Sequence, residues 1–328
     1  MNRLFPSNSP DSNIRPMNTA PPPIMVVGVD RSGTTLLSLM LDSHSRIAIP
    51  YESKFFMRYH NMPDQLGNLA EPEARRALIE RMLNEPSVRQ WGHTVAIGDV
   101  ELDRCTSLAS SIDALYSAHA RACGKDIWGD KTPSYITSLH VLNALFPEAR
   151  FIHIIRDGRD VASSLVQQWW GPNDFAEAMR YWHERVSCAR KMLRMLPENR
   201  FIEVRFEDLV ANPRNTLESI TTFLGLDFEE AMLDAYTRKA SSRVGESLSE
   251  IHPHLHEKPN PEQAYKWKRQ VPASDQAIAH EIAGRTLAEL GYEQGATQHP
   301  GKLFRELYHR VRSAYIWRFG NKKPPTGG

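Results

Sequence analysis

Short apolar runs alternate with longer stretches of helical periodicity along most of this chain. Five runs have the length and the β-rich composition of buried strands, namely residues 24–28, 47–49, 126–128, 151–155 and 200–205. The first is followed at once by an apolar helical run, residues 36–41. Strands that alternate with helices at this spacing predict βαβ units, and hence a central parallel sheet with helices on its faces.

The helical periodicity also predicts where the covering helices lie. They span residues 73–83, 107–122, 136–146, 176–196, 213–224 and 274–290. Because residues 55–124 are polar, helical and without a strand-like run, we interpret them as a helical insertion that caps the ligand site. Four aromatic residues of this insertion either line an acceptor pocket or, as is usual at helical spacing, belong to the core: Phe55, Phe56, Tyr59 and Trp91.

A glycine-containing turn joins the first strand to the first helix. Gly28 and Gly33 match a phosphate-binding loop of pattern G-x-x-x-x-G-K-[ST], and the start of the following helix favours an anion. Thr34 stands where the lysine of a nucleoside-triphosphate loop would be, and the positive charge is instead at Arg31. No later strand ends in an aspartate that would hold Mg²⁺. We therefore expect a metal-free site for a ligand that lacks a triphosphate.

Charged and polar side chains follow three further strands. Glu52 comes after the second strand, Lys131 after the third and Arg156 after the fourth, with Ser164 two turns into the next helix. The carboxyl ends of parallel strands meet at one edge of a sheet, where ligands bind. Glu52 is therefore a candidate general base and Lys131 a cation at the same edge. Arg156 and Ser164 are candidates to clamp a second phosphate.

Composition narrows the class of protein. With 328 residues, 41% hydrophobic and 24% charged, the chain is long enough for one large α/β domain with an insertion. A net charge of +1 argues against a general nucleic-acid binder. Three cysteines without C-x-x-C spacing indicate neither a disulfide framework nor a zinc site. We expect residues 1–23 to be a disordered tail rather than a signal peptide or anchor, and the protein to be cytoplasmic.

Three segments in the last third of the chain allow more than one interpretation or remain without an assigned role. Residues 265–269 form a basic and aromatic cluster that either clamps a nucleotide or lies on the surface. His252, His254 and His256 stand at alternate positions, but no fixed motif accompanies them, and we expect no metal site there. Residues 303–319 are predicted to form an amphipathic helix with a basic rim. It packs on the domain or on a second copy of the chain, or else contacts an anionic membrane surface.

Five motifs, taken in order, resemble those of the sulfotransferases that use 3′-phosphoadenosine 5′-phosphosulfate. They are Arg31-Ser32-Gly33-Thr34-Thr35, Tyr51-Glu52, Asp130-Lys131-Thr132-Pro133, Arg156-Asp157-Gly158-Arg159 with Ser164, and Phe206-Glu207-Asp208-Leu209. The chain is most similar to the branch that holds tyrosylprotein sulfotransferases and many bacterial members. The likeness spans about residues 24–292 and implies a single α/β domain of P-loop-like fold, followed by a C-terminal helical extension, residues 293–328.

The resemblance also implies roles for particular residues. The loop from Arg31 to Thr35 would bind the 5′-phosphosulfate, and Arg156 and Ser164 the 3′-phosphate. Glu52 would be the catalytic base and Lys131 would touch the transferring sulfuryl group. Lys266 and Trp267 resemble the Lys-Trp pair of a late loop that binds the donor. Two residues depart from the pattern: Phe206 replaces a tyrosine that contacts the nucleotide, and Gln168 replaces an arginine, which weakens any inference of tyrosylprotein specificity.

The residues and the resemblance predict the same reaction. A sulfuryl group would move in line from the donor to the hydroxyl of a carbohydrate, a small molecule or a peptide tyrosine, with Glu52 as base and Lys131 and Arg31 as cations. A kinase-like phosphoryl transferase is one alternative, although it would lack its loop lysine and metal-binding aspartate. A binding module without turnover is another, although binding alone needs neither Glu52 nor Lys131.

Overall fold

The computed structural model of the protein describes residues 21–234 and 260–297. His252, His254 and His256, the helix predicted at 303–319 and most of the tail predicted at 1–23 lie outside these ranges. Five parallel strands form one sheet in the order β2-β3-β1-β4-β5. Their bounds are Ile24–Val27 (β1), Ile47–Ala48 (β2), Ile127–Lys131 (β3), Arg150–Ile155 (β4) and Phe201–Arg205 (β5). The predicted parallel α/β sheet is confirmed.

The strand order fixes where a ligand can bind. Strand β1 lies between β3 and β4, with Ile24 opposite both Gly129 and Arg150. The chain places β2 and β3 on one side of β1 and then crosses to place β4 and β5 on the other. In open parallel sheets, ligands bind outside the carboxyl ends of the strands at such a change of direction. The loops that leave β1, β3 and β4 therefore surround one point.

Helices cover both faces of the sheet. Their bounds are Thr34–Asp42 (α1), Phe56–Asn61 (α2), Pro72–Leu83 (α3), Leu108–Ala122 (α4), Leu139–Leu145 (α5), Gly158–Leu165 (α6), Phe175–Leu193 (α7), Phe206–Ala211 (α8), Pro213–Leu224 (α9), Trp267–Gln270 (α10) and Ala273–Glu289 (α11). Alternate residues of β1 enter two separate hydrophobic clusters. Met25 and Val27 face the cluster that includes α4 and α7, whereas Ile24 and Val26 face the one that includes α1 and α9. Within the two described ranges, no helix is both long and apolar enough to cross a bilayer.

The helical segment between β2 and β3 shares the main core. Residues 55–124 contain α2, α3 and α4 and, as predicted, no strand. Phe55, Phe56, Tyr59 and Trp91 are all buried in the cluster on the α4 face of the sheet. Of the two alternatives for these aromatic residues, the structure therefore supports core packing and not a pocket lining.

The structure differs from the predicted elements around Lys131. Strand β3 continues through Gly129 and Asp130 to Lys131, because β1 pairs with it as far as Val26 opposite Lys131. Ladder pairing thus overrides the low strand propensity of glycine and aspartate. The predicted helix at 136–146 begins as a 3₁₀ helix, Pro133–Thr137, and becomes α-helical only at α5. Thr132 occupies the cap position, but its side chain caps nothing.

Candidate active site

The loop after β1 has the backbone that the glycine pattern predicts. Gly33 adopts a left-handed φ of 91° at the N-cap of α1, and a Cβ there would lie 2.4 Å from the Phe206 ring. At Gly28 a Cβ would lie 2.6 Å from the carbonyl oxygen of Ile154. Among the described residues no side chain caps α1, and its first turn contains no acidic residue. The helix therefore presents an uncapped N-terminus, which favours an anion.

Buried polar atoms without a partner lie at this loop and next to it. The hydroxyl of Ser32, the Nε of Arg156 and the Nε1 of Trp267 are buried, and none has a hydrogen-bond partner among the described residues. Buried donors in folded proteins are almost always paired, since an unpaired one is costly. Because all three belong to residues predicted to bind the donor, the site has the chemistry to hold an anionic nucleotide.

Arg31 connects the two predicted phosphate subsites. Its Nε donates to the Oγ of Ser164 over 3.0 Å, and its carbonyl oxygen accepts from Nη1 of Arg156 over 3.2 Å. Burial lowers the pKa of the Arg31 guanidinium, and the nearby Arg156 lowers it further, while Asp30 partly offsets both. Two neighbouring, partly buried guanidinium groups thus repel each other, and a bound anion would relieve that repulsion.

Arg156 is held from several sides. Its Nη2 donates to the carbonyl oxygen of Gln263 over 2.8 Å and lies 3.4 Å from Oδ2 of Asp160, and its guanidinium stacks on the Phe206 ring. Phe206, which lacks the hydroxyl of the family's tyrosine, therefore supports the arginine through its ring face.

The late loop is anchored through Trp267. Its backbone N–H donates to Oδ1 of Asp160 over 2.6 Å, and its buried ring lies 3.4 Å from the guanidinium of Arg159. The tryptophan therefore fixes the loop beside α6, so the cluster at 265–269 does not simply lie on the surface. Lys266 is the half-buried N-cap residue of the short helix α10.

Glu52 and Lys131 form an ion pair at the ends of β2 and β3. Oε1 of Glu52 lies 2.8 Å from Nζ of Lys131, which also lies 3.3 Å from Oγ1 of Thr35. Oε2 of Glu52 lies 3.3 Å from Nζ of Lys54. Burial raises the pKa of Glu52, but the two ammonium groups outweigh it and hold this pKa below its usual range. Glu52 is thus ionised at neutral pH.

A buried hydrogen-bond network positions this ion pair. The backbone N–H of Ser53 donates to Oγ1 of Thr132 over 3.1 Å, and the Ser53 and Tyr135 hydroxyls are 2.8 Å apart. The Tyr116 hydroxyl donates to Asp130 over 2.7 Å, and burial raises the pKa of that carboxyl. These bonds tie the residue after Glu52 to the strand that carries Lys131. Their partners are about 80 residues apart or lie in different elements, so local sequence pattern gave no signal for them.

An open cleft of about 420 Å³ lies beside the ion pair. It is lined by Asp30, Arg31, Thr34, Thr35, Tyr51, Glu52, Lys54, Pro133, Ser134, Trp169 and Trp170. The predicted residues Arg31, Thr34, Thr35 and Glu52 thus share one cavity, and Lys131 and Ser164 contact it through Glu52 and Arg31. Trp169 and Trp170 were not predicted. The sequence feature that could have indicated them is a pair of adjacent tryptophans, five residues after Ser164 and directly before Gly171.

Comparisons with known proteins agree on one family. The model of a family described as the sulfotransferase family matches residues 22–230. Protein-tyrosine sulfotransferase A of Caenorhabditis elegans is 28% identical over 222 residues, which are 66% of this chain and 53% of that protein. Protein-tyrosine sulfotransferase 2 of Gallus gallus is 26% identical over 304 residues, 88% of this chain and 76% of that one. The chain thus spans about half the length of the worm relative.

Two solved structures are similar to this chain over nearly their whole length. The sulfotransferase domain from the Synechococcus PCC 7002 olefin synthase is 27% identical, with a TM-score of 0.57. The match covers 85% of this chain and 98% of that domain. The sulfotransferase domain from the curacin biosynthetic pathway, at 22% identity and a TM-score of 0.58, has the same fold.

Proposed function

This chain belongs to the sulfotransferase family, and we propose that it moves a sulfuryl group from 3′-phosphoadenosine 5′-phosphosulfate to an acceptor hydroxyl without a metal ion. The observation that carries the proposal is the contact of Glu52 with Lys131 and of Lys131 with Thr35. It brings a carboxylate and a cation to the uncapped N-terminus of α1, which would favour an anion. Nucleotide binding alone requires no such base.

The donor would occupy both phosphate subsites. Backbone N–H groups after Gly33 and the hydroxyls of Ser32, Thr34 and Thr35 would bind the 5′-phosphosulfate. Arg156 and Ser164 would bind the 3′-phosphate. The unpaired Ser32 hydroxyl and Arg156 Nε support this assignment.

Other residues would complete the donor site. Arg31 lies between the subsites, where its charge would act on both. Lys266 and Trp267 would close the site from the late loop. The unpaired Nε1 of Trp267 supports this part of the assignment.

The reaction would be a single in-line displacement. The acceptor oxygen forms a bond to sulfur as the bond from sulfur to the bridging phosphate oxygen breaks, and the electron pair leaves with the nucleotide. The acceptor proton passes to Glu52, while Lys131 and Arg31 stabilise the charge on the bridging oxygen. When Lys131 turns from Glu52 to that oxygen, Glu52 loses a cationic partner and becomes a stronger base.

The proposal is tested by transfer of label. The protein is incubated in EDTA with ³⁴S-labelled donor and a mixture of hydroxyl acceptors, and the products are analysed by mass spectrometry. We expect labelled sulfate esters from wild type and far less from Glu52→Gln. Phosphorylated products from ATP and Mg²⁺ would instead favour a kinase-like enzyme, and tight donor binding without any product would favour a binding module.

A further inference from the structure

Two adjacent tryptophans are exposed at the edge of the cleft. Trp169 and Trp170 are 50% and 39% exposed. The other tryptophans in the described ranges are all buried in the core: Trp91, Trp128, Trp182 and Trp267. Since exposed clusters of large apolar side chains usually mark binding sites, the exposure of this pair indicates a role in binding.

A tight turn holds the pair in place. The backbone N–H of Gly171 donates to the carbonyl oxygen of Gln168 over 3.1 Å, which leaves Trp169 and Trp170 as the two middle residues of a β-turn. A Cβ at Gly171 would lie only 2.1 Å from the carbonyl oxygen of Leu165. That oxygen also accepts from the backbone N–H of Gln168 over 3.0 Å. The turn is thus packed against the end of α6, and its backbone holds the two tryptophan side chains in fixed positions.

The cleft that holds the tryptophans also has uncharged lining residues, and several of its charged groups are paired. Tyr51, Pro133 and Ser134 line it with them. Of the charged groups in the cleft, Lys54 is paired with Glu52, and Asp30 accepts from the Tyr181 hydroxyl over 2.8 Å. Under the proposed function, Arg31 is engaged by the donor. An acidic peptide would need several cations here to pair with its carboxylates, and the described wall does not supply them.

We propose that Trp169 and Trp170 are the acceptor-binding platform, and that the acceptor is an uncharged phenol whose ring stacks on them rather than a tyrosine within an acidic peptide. The inference rests on the proposed sulfuryl transfer and adds its acceptor class. Flat aromatic rings bind to tryptophan in stacked or edge-to-face geometry. A phenol also suits a carboxylate base, because a carboxylate more readily deprotonates a hydroxyl whose own pKa is about 10 than a far less acidic aliphatic one.

The experiment measures acceptor binding apart from turnover. Calorimetry follows 2-naphthol binding to protein saturated with 3′-phosphoadenosine 5′-phosphate, and kinetics compare 2-naphthol with a tyrosine peptide flanked by glutamates. In the double variant Trp169→Ala/Trp170→Ala we expect the Kd and KM for 2-naphthol to rise by roughly tenfold or more, as lost stacking predicts. Nucleotide affinity should stay within about twofold, because donor residues are untouched.

Two control variants distinguish the loss of aromatic stacking from a nonspecific effect of substitution on the protein. Trp169→Phe/Trp170→Phe keeps aromatic faces and should bind 2-naphthol within about threefold of wild type. Met195→Ala removes another exposed apolar side chain, 74% exposed and just past α7, and should change nothing. Thermal unfolding of each variant checks that it folds.

Each contrary result has its own meaning. The platform is wrong if the wild-type nucleotide complex does not bind 2-naphthol, if the double alanine variant binds it as tightly as wild type, or if the acidic peptide has the higher kcat/KM. The first and third results need no variant and so do not depend on its folding. Absence of nucleotide binding by wild type would overturn the proposed function itself.

Discussion

The two ends of the active site differ in the partners of their charged side chains. At the ends of β1 and β4, Arg31 donates to the Ser164 hydroxyl, and Arg156 donates to the backbone carbonyl oxygens of Arg31 and Gln263. At the ends of β2 and β3, Lys131 instead contacts the carboxylate of Glu52. The first end presents two neighbouring guanidinium groups to a bound anion. At the second end the Glu52 carboxylate contacts two ammonium groups, and these contacts can be redistributed when a proton moves. We call these ends the binding end and the reacting end.

The largest expected effect concerns the reacting end. Glu52→Gln keeps the size of the side chain and one acceptor oxygen but removes its basicity. Turnover should fall by about 100- to 10,000-fold, the usual contribution of a general base. Affinity for 3′-phosphoadenosine 5′-phosphate should stay within a few-fold. Steady-state kinetics and calorimetry measure the two quantities.

A matched control for this variant is Glu229→Gln. Glu229 accepts from the backbone N–H and hydroxyl of Ser45, before β2 and away from the cleft. Its substitution should leave turnover unchanged. If Glu52→Gln turns over as wild type does, another group takes the proton and the two ends do not divide the work as proposed.

The second prediction concerns the binding end. Arg156→Ala removes a charge-assisted contact to the 3′-phosphate and should weaken nucleotide binding by roughly 1.5 to 3 kcal/mol. Turnover at saturating donor should change less, because this contact lies away from the sulfuryl group. The control is Arg150→Ala at the opposite end of β4, where the guanidinium contacts the carbonyl oxygen of Phe223. Equal wild-type affinity for AMP and for the 3′,5′-bisphosphate would remove the 3′-phosphate site from Arg156.

The sequence predicted most of the fold because its strongest signals are local. All five strands were predicted to within a few residues, since each contains a short stretch of β-rich apolar residues. The helix α9 begins at Pro213 and ends before Gly225, whose φ of 70° suits a C-terminal glycine. The extension of β3 to Lys131 was missed, because it depends on pairing with β1 and not on the residues of β3 themselves.

The site was predictable only in part for the same reason. Glu52, Lys131 and Arg156 could be assigned to one edge, because a parallel sheet brings its strand ends together. That Arg31 would bond to Ser164, 133 positions away, depends on how α6 packs and has no local signature. Trp169 and Trp170 were not predicted, because their exposure depends on the turn that follows α6 and on its packing against that helix.

The third prediction concerns how the binding end is supported. Glu207 accepts from the backbone N–H of Asp157, the residue after Arg156, over 2.9 Å and from the Tyr292 hydroxyl over 3.1 Å. Burial raises its pKa to about 7. Between its ordinary pKa and about 7, the Glu207 carboxyl of the folded state therefore holds a proton that the unfolded state has already released. Its contribution to the free energy of unfolding is complete at low pH and is lost as the pH rises to about 7.

The stability of a Gln variant checks this sign. Between pH 5 and pH 8, wild type should lose on the order of 1 to 3 kcal/mol of unfolding free energy relative to Glu207→Gln, which cannot ionise. Denaturant titrations at both pH values give the difference. Parallel pH dependence of the two proteins would mean that Glu207 is ionised in the folded state throughout.

The smallest effect should come from Lys54, at the outer edge of the reacting end. Its ammonium group is half-exposed and lies 3.3 Å from Oε2 of Glu52, and its backbone has a left-handed φ of 60°. Because it helps Lys131 to lower the pKa of Glu52, Lys54→Met should raise that pKa. Glu52 acts as a base only when ionised, so kcat/KM falls as pH drops through its pKa, and the acid limb of the profile should move to higher pH. The plateau should change by less than about fivefold, since exposed ion pairs contribute little, and Lys54→Arg should restore the wild-type limb. If the limb stays in place in Lys54→Met, either the limb belongs to a group other than Glu52, or Lys131 alone lowers the pKa of Glu52.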